Sequence, residues 1–134
     1  NEVGLNWADL YDTPAALNER LEQLPERWGR VNMHEISASE LTPESQIRTL
    51  SDANPYIQRV EIAPGGTLGA YHHDVDALYL VYDGTMEIAD EASYLAEEFR
   101  WLPAGHKTPT TTAGADGADL IVIGMGALAT FHWG

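Results

Sequence analysis

A short polar run in the middle of the chain carries the residue types best suited to proton transfer or metal binding. It reads Tyr71-His72-His73-Asp74-Val75-Asp76, and Tyr79 follows three residues later. Imidazole exchanges its proton nearest to neutral pH, and a phenol can donate a hydrogen bond to a developing oxyanion. The run therefore predicts a site for general acid–base chemistry or for a metal ion.

A metal ion would need several of these donors on one side of the chain, and the chain has no cysteine to contribute thiolate ligands. A bulge between positions 71 and 76 would turn His72 or Asp76 inward beside His73, with His106 within reach from a reshaped turn. Two or three imidazoles and a carboxylate suit iron, zinc, manganese or nickel with one open position for substrate. The metal candidates are His72, His73, Asp76 and His106.

A metal-free site would use His73 as general acid or base, with Tyr71 or Tyr79 as a proton donor. Side chains alternate between the two faces of a strand, so Tyr71 and His73 share one face and His72 lies on the other. If the shared face is the interior, His73, Tyr71 and Tyr79 line a pocket and are the catalytic candidates. Ala77, on the following strand, leaves room beside them.

Short extended segments punctuated by glycine and proline must position these residues. The strand candidates are 56–63, 68–73, 77–82, 85–89, 99–102, 120–125 and 128–133. Asp83-Gly84 predicts a hairpin turn between two of them. Residues 1–55 contain early strands and one short amphipathic helix over 14–24, and residues 56–134 form the barrel. The pattern predicts one all-β domain, a sandwich or closed barrel with a short N-terminal helix.

Two stretches resemble the motifs of the cupin superfamily. From Gly65 to Gly84 the spacing is similar to the first motif, which has a glycine, five residues, His-x-His, three or four residues, a glutamate, six residues and a glycine. Pro103-Ala104-Gly105 resembles the opening of the second motif, Pro-x-Gly-x-x-His. The resemblance implies an RmlC-like jelly-roll barrel, also called a double-stranded β-helix, and a homodimer in which an N-terminal segment crosses to the partner.

The cupin ligand positions are largely substituted. Tyr71, His73, Ala77 and Thr108 stand where the family has its two histidines, its glutamate and its last histidine. The resemblance implies a small-molecule enzyme, either metal-dependent with dioxygenase or lyase/isomerase chemistry through a non-standard ligand set, or a metal-free epimerase, cyclase or lyase. A non-catalytic module that binds a small ligand is the third alternative, so a divalent metal is one expectation and no cofactor is the other.

Charge narrows the choice of partners. Twenty-one acidic residues against seven basic ones give a formal net charge of −14. Phosphate backbones and anionic membranes attract cationic surfaces, so we expect neither nucleic acid nor membrane as a partner. A neutral or weakly charged small molecule is expected, and Arg59 and Arg100 are candidates either to bind a carboxylate or to neutralise local acids. No apolar run is long enough to span a membrane, and a cytoplasmic location is the expectation.

Overall fold

Ten antiparallel strands account for more than half of residues 35–134, the part of the chain that the computed structural model describes. These residues belong to the unit Asn32–Gly134. The strands are β1 (Ser39–Thr42), β2 (Ser45–Ser51), β3 (Tyr56–Ile62), β4 (Thr67–Leu68), β5 (Tyr71–His72), β6 (Ala77–Ile88), β7 (Ala92–Tyr94), β8 (Phe99–Leu102), β9 (Thr111–Gly124) and β10 (His132–Trp133). The described residues contain no α-helix and so none that could cross a membrane. The helix predicted over 14–24 lies outside them.

The long strands β6 and β9 organise the sheet. Its order is β1-β2-β3-β9-β6-β7, with β4 also paired to β9 and β8 also paired to β6. A separate two-stranded ribbon joins β5 to β10. Because β6 and β9 pair along almost their whole length, they join β1, β2, β3 and β4 on one side to β7 and β8 on the other in one sheet.

Strict alternation of side chains along the central strands creates the core. In β6, Ala77, Tyr79 and Val81 are buried while the residues between them are more exposed. Leu120 and Val122 of β9 follow the same rule. An alternating pattern of this kind is what a sheet with one buried face requires. The predicted all-β class is therefore confirmed.

The hairpin predicted at Asp83-Gly84 is wrong. Both residues lie inside β6, which continues from Ala77 to Ile88 with irregularities in register on either side of Gly84. Gly84 has a φ of 75°, and a Cβ added there would lie 2.1 Å from the carbonyl oxygen of Gly117. The glycine therefore accommodates an irregularity in the β6–β9 pairing where the two backbones approach closely, and the chain does not reverse here.

Other strand boundaries also differ from those predicted. β9 begins at Thr111 instead of residue 120, because its first half is made of small and polar residues that carry no apolar alternation. The segment predicted over 68–73 is divided by Gly69 into β4 and β5, and only His132–Trp133 of the segment 128–133 is a strand. Tertiary pairing, more than local preference, set these ends.

We predict that Gly84→Ala lowers the free energy of unfolding by about 3 kcal/mol or more, since it adds a clash with Gly117 to the cost of a left-handed backbone. Gly105→Ala is the matched control: its φ is 79°, but nothing lies within 4 Å of the added Cβ. It should cost only about 1–2 kcal/mol. Urea denaturation of both variants measures the difference, and equal losses would contradict the close approach of β6 and β9.

Candidate functional site

Three side chains singled out from the sequence meet inside the barrel. Tyr71 lies on β5, His73 directly follows that strand, and Tyr79 lies on β6. All three are buried, and His73 has no exposed surface at all. The ring centroid of Tyr71 is 5.3 Å from that of His73 and 6.4 Å from that of Tyr79. The structure thus brings together the residues of the metal-free hypothesis.

Both ring nitrogens of His73 have a partner. Nδ1 lies 2.7 Å from the backbone carbonyl oxygen of Thr130, and Nε2 lies 2.6 Å from the hydroxyl of Tyr79. A carbonyl can only accept, so Nδ1 carries the proton and donates it. In a neutral ring Nε2 is then a lone-pair acceptor, and the Tyr79 hydroxyl donates to it. A neutral imidazole is therefore held here as the Nδ1–H tautomer.

Burial sets the protonation states around this pair. Loss of solvation lowers the pKa of His73, and the hydrogen bond to Thr130 only partly opposes that effect. Burial raises the pKa of Tyr79 well above its ordinary value, and burial also raises the pKa of Tyr71. In each case the neutral form is favoured, because a low-dielectric interior penalises charge. The site at rest is one neutral base facing neutral phenols.

A buried arginine, Arg100, lies beside the phenols of Tyr71 and Tyr79. Arg100 of β8 pairs in register with Tyr79, and its Nη1 donates to the hydroxyl of Thr108 over 3.1 Å. Thr108 is itself fully buried and exchanges two backbone hydrogen bonds with Tyr71. The polar interior therefore continues from the imidazole through the phenols to a guanidinium.

Glu91 neutralises that guanidinium. Its carboxylate accepts from Nε and Nη2 of Arg100 at 2.7 and 2.8 Å and from the hydroxyl of Tyr94 at 2.5 Å. The hydrogen bonds from Arg100 lower the pKa of Glu91 to about 2. Arg59, the other arginine considered, is paired with Asp119 at 2.9 and 2.6 Å. The sequence predicted that these arginines either bind a carboxylate of the ligand or neutralise local acids. In the structure both are paired with acidic side chains of the chain itself.

The last residues of the chain cover the imidazole. Phe131 packs against the rings of His73 and Tyr71, at centroid distances of 4.7 and 4.8 Å, and Trp133 stacks on Phe131. β10 pairs with β5, and the backbone NH of Gly134 donates to Ala70. We call residues 126–134 the C-terminal cover. The cover accounts for the complete burial of His73.

No family model matches the chain, and no curated protein matches it. Solved structures do match. The polyketide cyclase RemF from Streptomyces resistomycificus aligns at 18% identity over 72% of this chain and 78% of RemF, with a TM-score of 0.59. A sugar phosphate isomerase of the cupin superfamily from Silicibacter pomeroyi aligns at 17% identity over 72% and 75%, with a TM-score of 0.57.

The chain has a cupin fold. A third neighbour is a chain in the structure of Rhodobacter sphaeroides SigE in complex with the anti-sigma ChrR, which aligns at 13% identity over 93% of this chain and 70% of its own, with a TM-score of 0.62. Proteins named as a cyclase and as an isomerase are thus among the neighbours, together with a structure named for an anti-sigma complex. At these identities the likeness concerns the fold.

The cupin metal positions converge here, but their side chains do not fit a metal ion. Position 71 faces position 108 across a backbone bridge, and positions 73 and 77 lie beside them in the interior. They carry a phenol with a raised pKa, an imidazole whose two nitrogens are engaged, a methyl group and a hydroxyl. This donor set lacks the carboxylate and multiple imidazoles that such ions require.

The remaining metal candidates lie elsewhere. His72 is on the opposite face of β5, where it stacks on His132 at 5.1 Å. Asp76 is exposed and accepts a hydrogen bond from the backbone NH of Ala104, and His106 is exposed in the same turn. Within residues 35–134 no three His, Asp or Glu side chains come together in a way that could hold a metal ion. His72, Asp76 and His106 are therefore not joined to His73.

Three residues of the site were missed from the sequence. Thr130 contributes only a backbone carbonyl, which has no sequence signal. Glu91 sits among many other acids, so its pairing with Arg100 becomes visible only in the folded chain. Phe131 could have been suspected, because Phe131-His132-Trp133 ends the chain with aromatic rings on alternate residues.

We predict that Glu91→Gln destabilises the protein at neutral pH, because it leaves the buried charge of Arg100 without its partner. The folded-state pKa of Glu91 is depressed to about 2, so its contribution is present above the ordinary value of 4.5 and is lost as pH falls towards 2. Denaturant titrations from pH 7 to pH 2 should therefore show the gap between wild type and variant narrowing below pH 4.5. A gap that stays constant across this range would argue against the ion pair.

Proposed function

We propose that this chain is a metal-free cupin enzyme that moves a proton on a small, neutral or weakly charged molecule, as an epimerase, cyclase or lyase does. The observation that carries the proposal is the geometry of His73. Its Nδ1 is anchored to Thr130 and its Nε2 accepts from Tyr79 at 2.6 Å. A base held in one tautomer against a phenol is an arrangement suited to general acid–base catalysis.

In the proposed step, Tyr79 is the group that contacts the substrate and His73 lies behind it. The phenol oxygen of Tyr79 takes a proton from an acidic C–H bond while its own proton passes to Nε2 of His73. The electron pair of the broken C–H bond moves into an adjacent carbonyl, giving an enolate oxygen. His73, whose lowered pKa makes its imidazolium short-lived, returns the proton through Tyr79 to the substrate.

Tyr71 supplies the second function that such a step needs. Its phenol remains protonated because burial raises its pKa, so it can donate a hydrogen bond to the enolate oxygen as charge develops. Arg100 supports this role through Thr108, and its guanidinium is already paired with Glu91. A polyanionic substrate would have to displace that carboxylate, which favours a neutral or weakly charged one.

Access to the site requires the last part of the C-terminal cover, residues 131–134, to move while Thr130 stays bonded to His73. His73 is fully buried beneath Phe131, and beyond Thr130 the backbone of the cover is attached by the two residue pairs of β5 and β10 and by the hydrogen bond from Gly134 to Ala70. Local opening of such a segment leaves the rest of the fold in place. The neighbours RemF and the sugar phosphate isomerase, a cyclase and an isomerase on the same fold, support the reaction class.

A non-catalytic module that binds a small ligand is the second candidate. The observation that favours it is the complete burial of the polar interior, because a network with every member bonded also serves to rigidify a core. The likeness to a chain of the SigE–ChrR complex, a structure whose name mentions no enzyme activity, supports it as well. The two candidates differ in whether a bound molecule exchanges protons.

The test is deuterium exchange into small carbonyl compounds in D₂O, followed by NMR on the full-length protein. A panel of neutral β-diketones, keto sugars and cyclic ketones serves as the probe set. We predict exchange above the uncatalysed rate with the wild type, insensitive to EDTA. Tyr79→Phe should lower the exchange rate by a factor of about 10² or more, which is the usual contribution of a positioned acid–base group.

Tyr94→Phe is the matched control, since it also removes one phenol hydroxyl, but that hydroxyl is bonded to Glu91 and not to His73. It should retain exchange. Compounds that bind, as seen by a rise in melting temperature, without exchanging would favour the binding module. Exchange that requires an added divalent metal would contradict the proposal.

A further inference from the structure

The ring of Phe131 fills the space beside two groups that a substrate has to reach. Its centroid lies 4.7 Å from that of His73 and 4.8 Å from that of Tyr71. Trp133, which is 45% exposed, stacks on Phe131 with 5.4 Å between centroids. Phe131 is thus in contact with three aromatic rings, in arrangements that aromatic pairs prefer. When residues 131–134 move aside, the space left next to His73 and Tyr71 has the dimensions of one flat six-membered ring.

The polar side chains behind Phe131 are engaged with one another. The hydroxyl of Tyr79 donates to His73, and the hydroxyl of Thr108 accepts from Arg100. A molecule with several hydroxyl groups would lose water from each of them on entering this space and gain few partners in return. A molecule with a single carbonyl needs only one donor, which the phenol of Tyr71 supplies in the proposed function. The interior therefore favours a ligand that is apolar apart from one carbonyl group.

We propose that Phe131 occupies the place of the ligand's own ring, so that the site takes small ketones with a flat aromatic ring in preference to polyhydroxylated ones. This inference deepens the proposed function and rests on its claim that a molecule enters beside His73 and Tyr71. Phe131 is then an intramolecular competitor, since the site holds either its benzyl group or the ligand. Competition of this kind reduces the apparent affinity in proportion to the fraction of molecules in which the site is open.

Phenylacetone is the sharpest probe, because it carries the benzyl group of a phenylalanine side chain directly on a ketone. Cyclohexylacetone is its saturated match, and erythrulose is an open-chain keto sugar. Phenylacetone should bind the full-length wild type about 3-fold or more tightly than cyclohexylacetone, which is the usual gain from aromatic pairing. It should bind about 10-fold or more tightly than erythrulose, whose hydroxyls would be buried without partners. NMR titration measures the three dissociation constants.

Phe131→Ala distinguishes a competitor from a wall of the site. Removing a wall would weaken binding, whereas removing a competitor strengthens it. Because His73 is fully buried, the closed form predominates. An open fraction of about a tenth or less predicts that the variant binds phenylacetone about 10-fold or more tightly than the wild type.

Phe99→Ala is the matched control for this variant. Phe99 is the other phenylalanine of the chain, is 63% exposed on β8, and should leave the dissociation constant unchanged when it is replaced. Circular dichroism checks that Phe131→Ala is folded. If it is not, Phe131→Leu, which removes the aromatic ring and keeps an apolar side chain, is interpreted in the same way.

Nuclear Overhauser contacts from the ring of Phe131 to the rings of His73 and Tyr71 report the closed form directly. They should disappear as phenylacetone saturates the wild type, and contacts from the ring of the ligand should replace them. Contacts that persist at saturation overturn the inference, as does an unchanged or weaker affinity in Phe131→Ala. Absence of binding to the wild type, or binding of either comparison ketone as tightly as phenylacetone, overturns it too.

Failure of the proposed function gives a different result. Phenylacetone would then bind and displace Phe131, but its benzylic protons would not exchange in D₂O above the uncatalysed rate. Erythrulose that binds and exchanges while phenylacetone does neither would overturn the present inference and leave the proposed function standing.

Discussion

A buried imidazole must find partners for both of its nitrogens, and the interior of this barrel is arranged around that requirement. One nitrogen of His73 is satisfied by the carbonyl of Thr130, which belongs to the C-terminal cover, and the other by Tyr79 of β6. An unpaired polar group in such a place would cost several kcal/mol, by order of magnitude. The C-terminal cover and β6 are therefore linked through the side chain of His73. The same two hydrogen bonds fix the tautomer that acid–base chemistry at the site would use.

The acidic composition and the polar interior are connected through Arg100. Inside the barrel a lone guanidinium would be expensive, so Glu91 neutralises it, with Tyr94 donating to the same carboxylate. The phenols of Tyr71 and Tyr79 therefore lie beside the guanidinium of Arg100, whose charge is balanced by the carboxylate of Glu91. At the positions where cupins hold metal ligands, this barrel has side chains that are hydrogen-bonded as neutral groups.

Much of this arrangement follows from the sequence. The spacing from Gly65 to Gly84 located the polar residues, and alternation placed Tyr71, His73 and Tyr79 on one face. The position of Gly84 was recognised but its role was not, because a left-handed glycine serves a bulge as well as a turn. The first half of β9 and the carbonyl of Thr130 had no pattern to reveal them: small polar residues form a strand only when β6 pairs with them, and a backbone acceptor is the same in every residue.

The central claim is that His73 is a neutral imidazole with its proton on Nδ1. Long-range ¹⁵N–¹H correlation NMR of the side-chain nitrogens, followed from pH 8 to pH 5, tests it most directly. The account predicts a protonated Nδ1, an unprotonated Nε2 and a ring that becomes charged only below the ordinary pKa of a histidine, since burial lowers the pKa of His73. A proton on Nε2, or titration at or above the ordinary value, would contradict it.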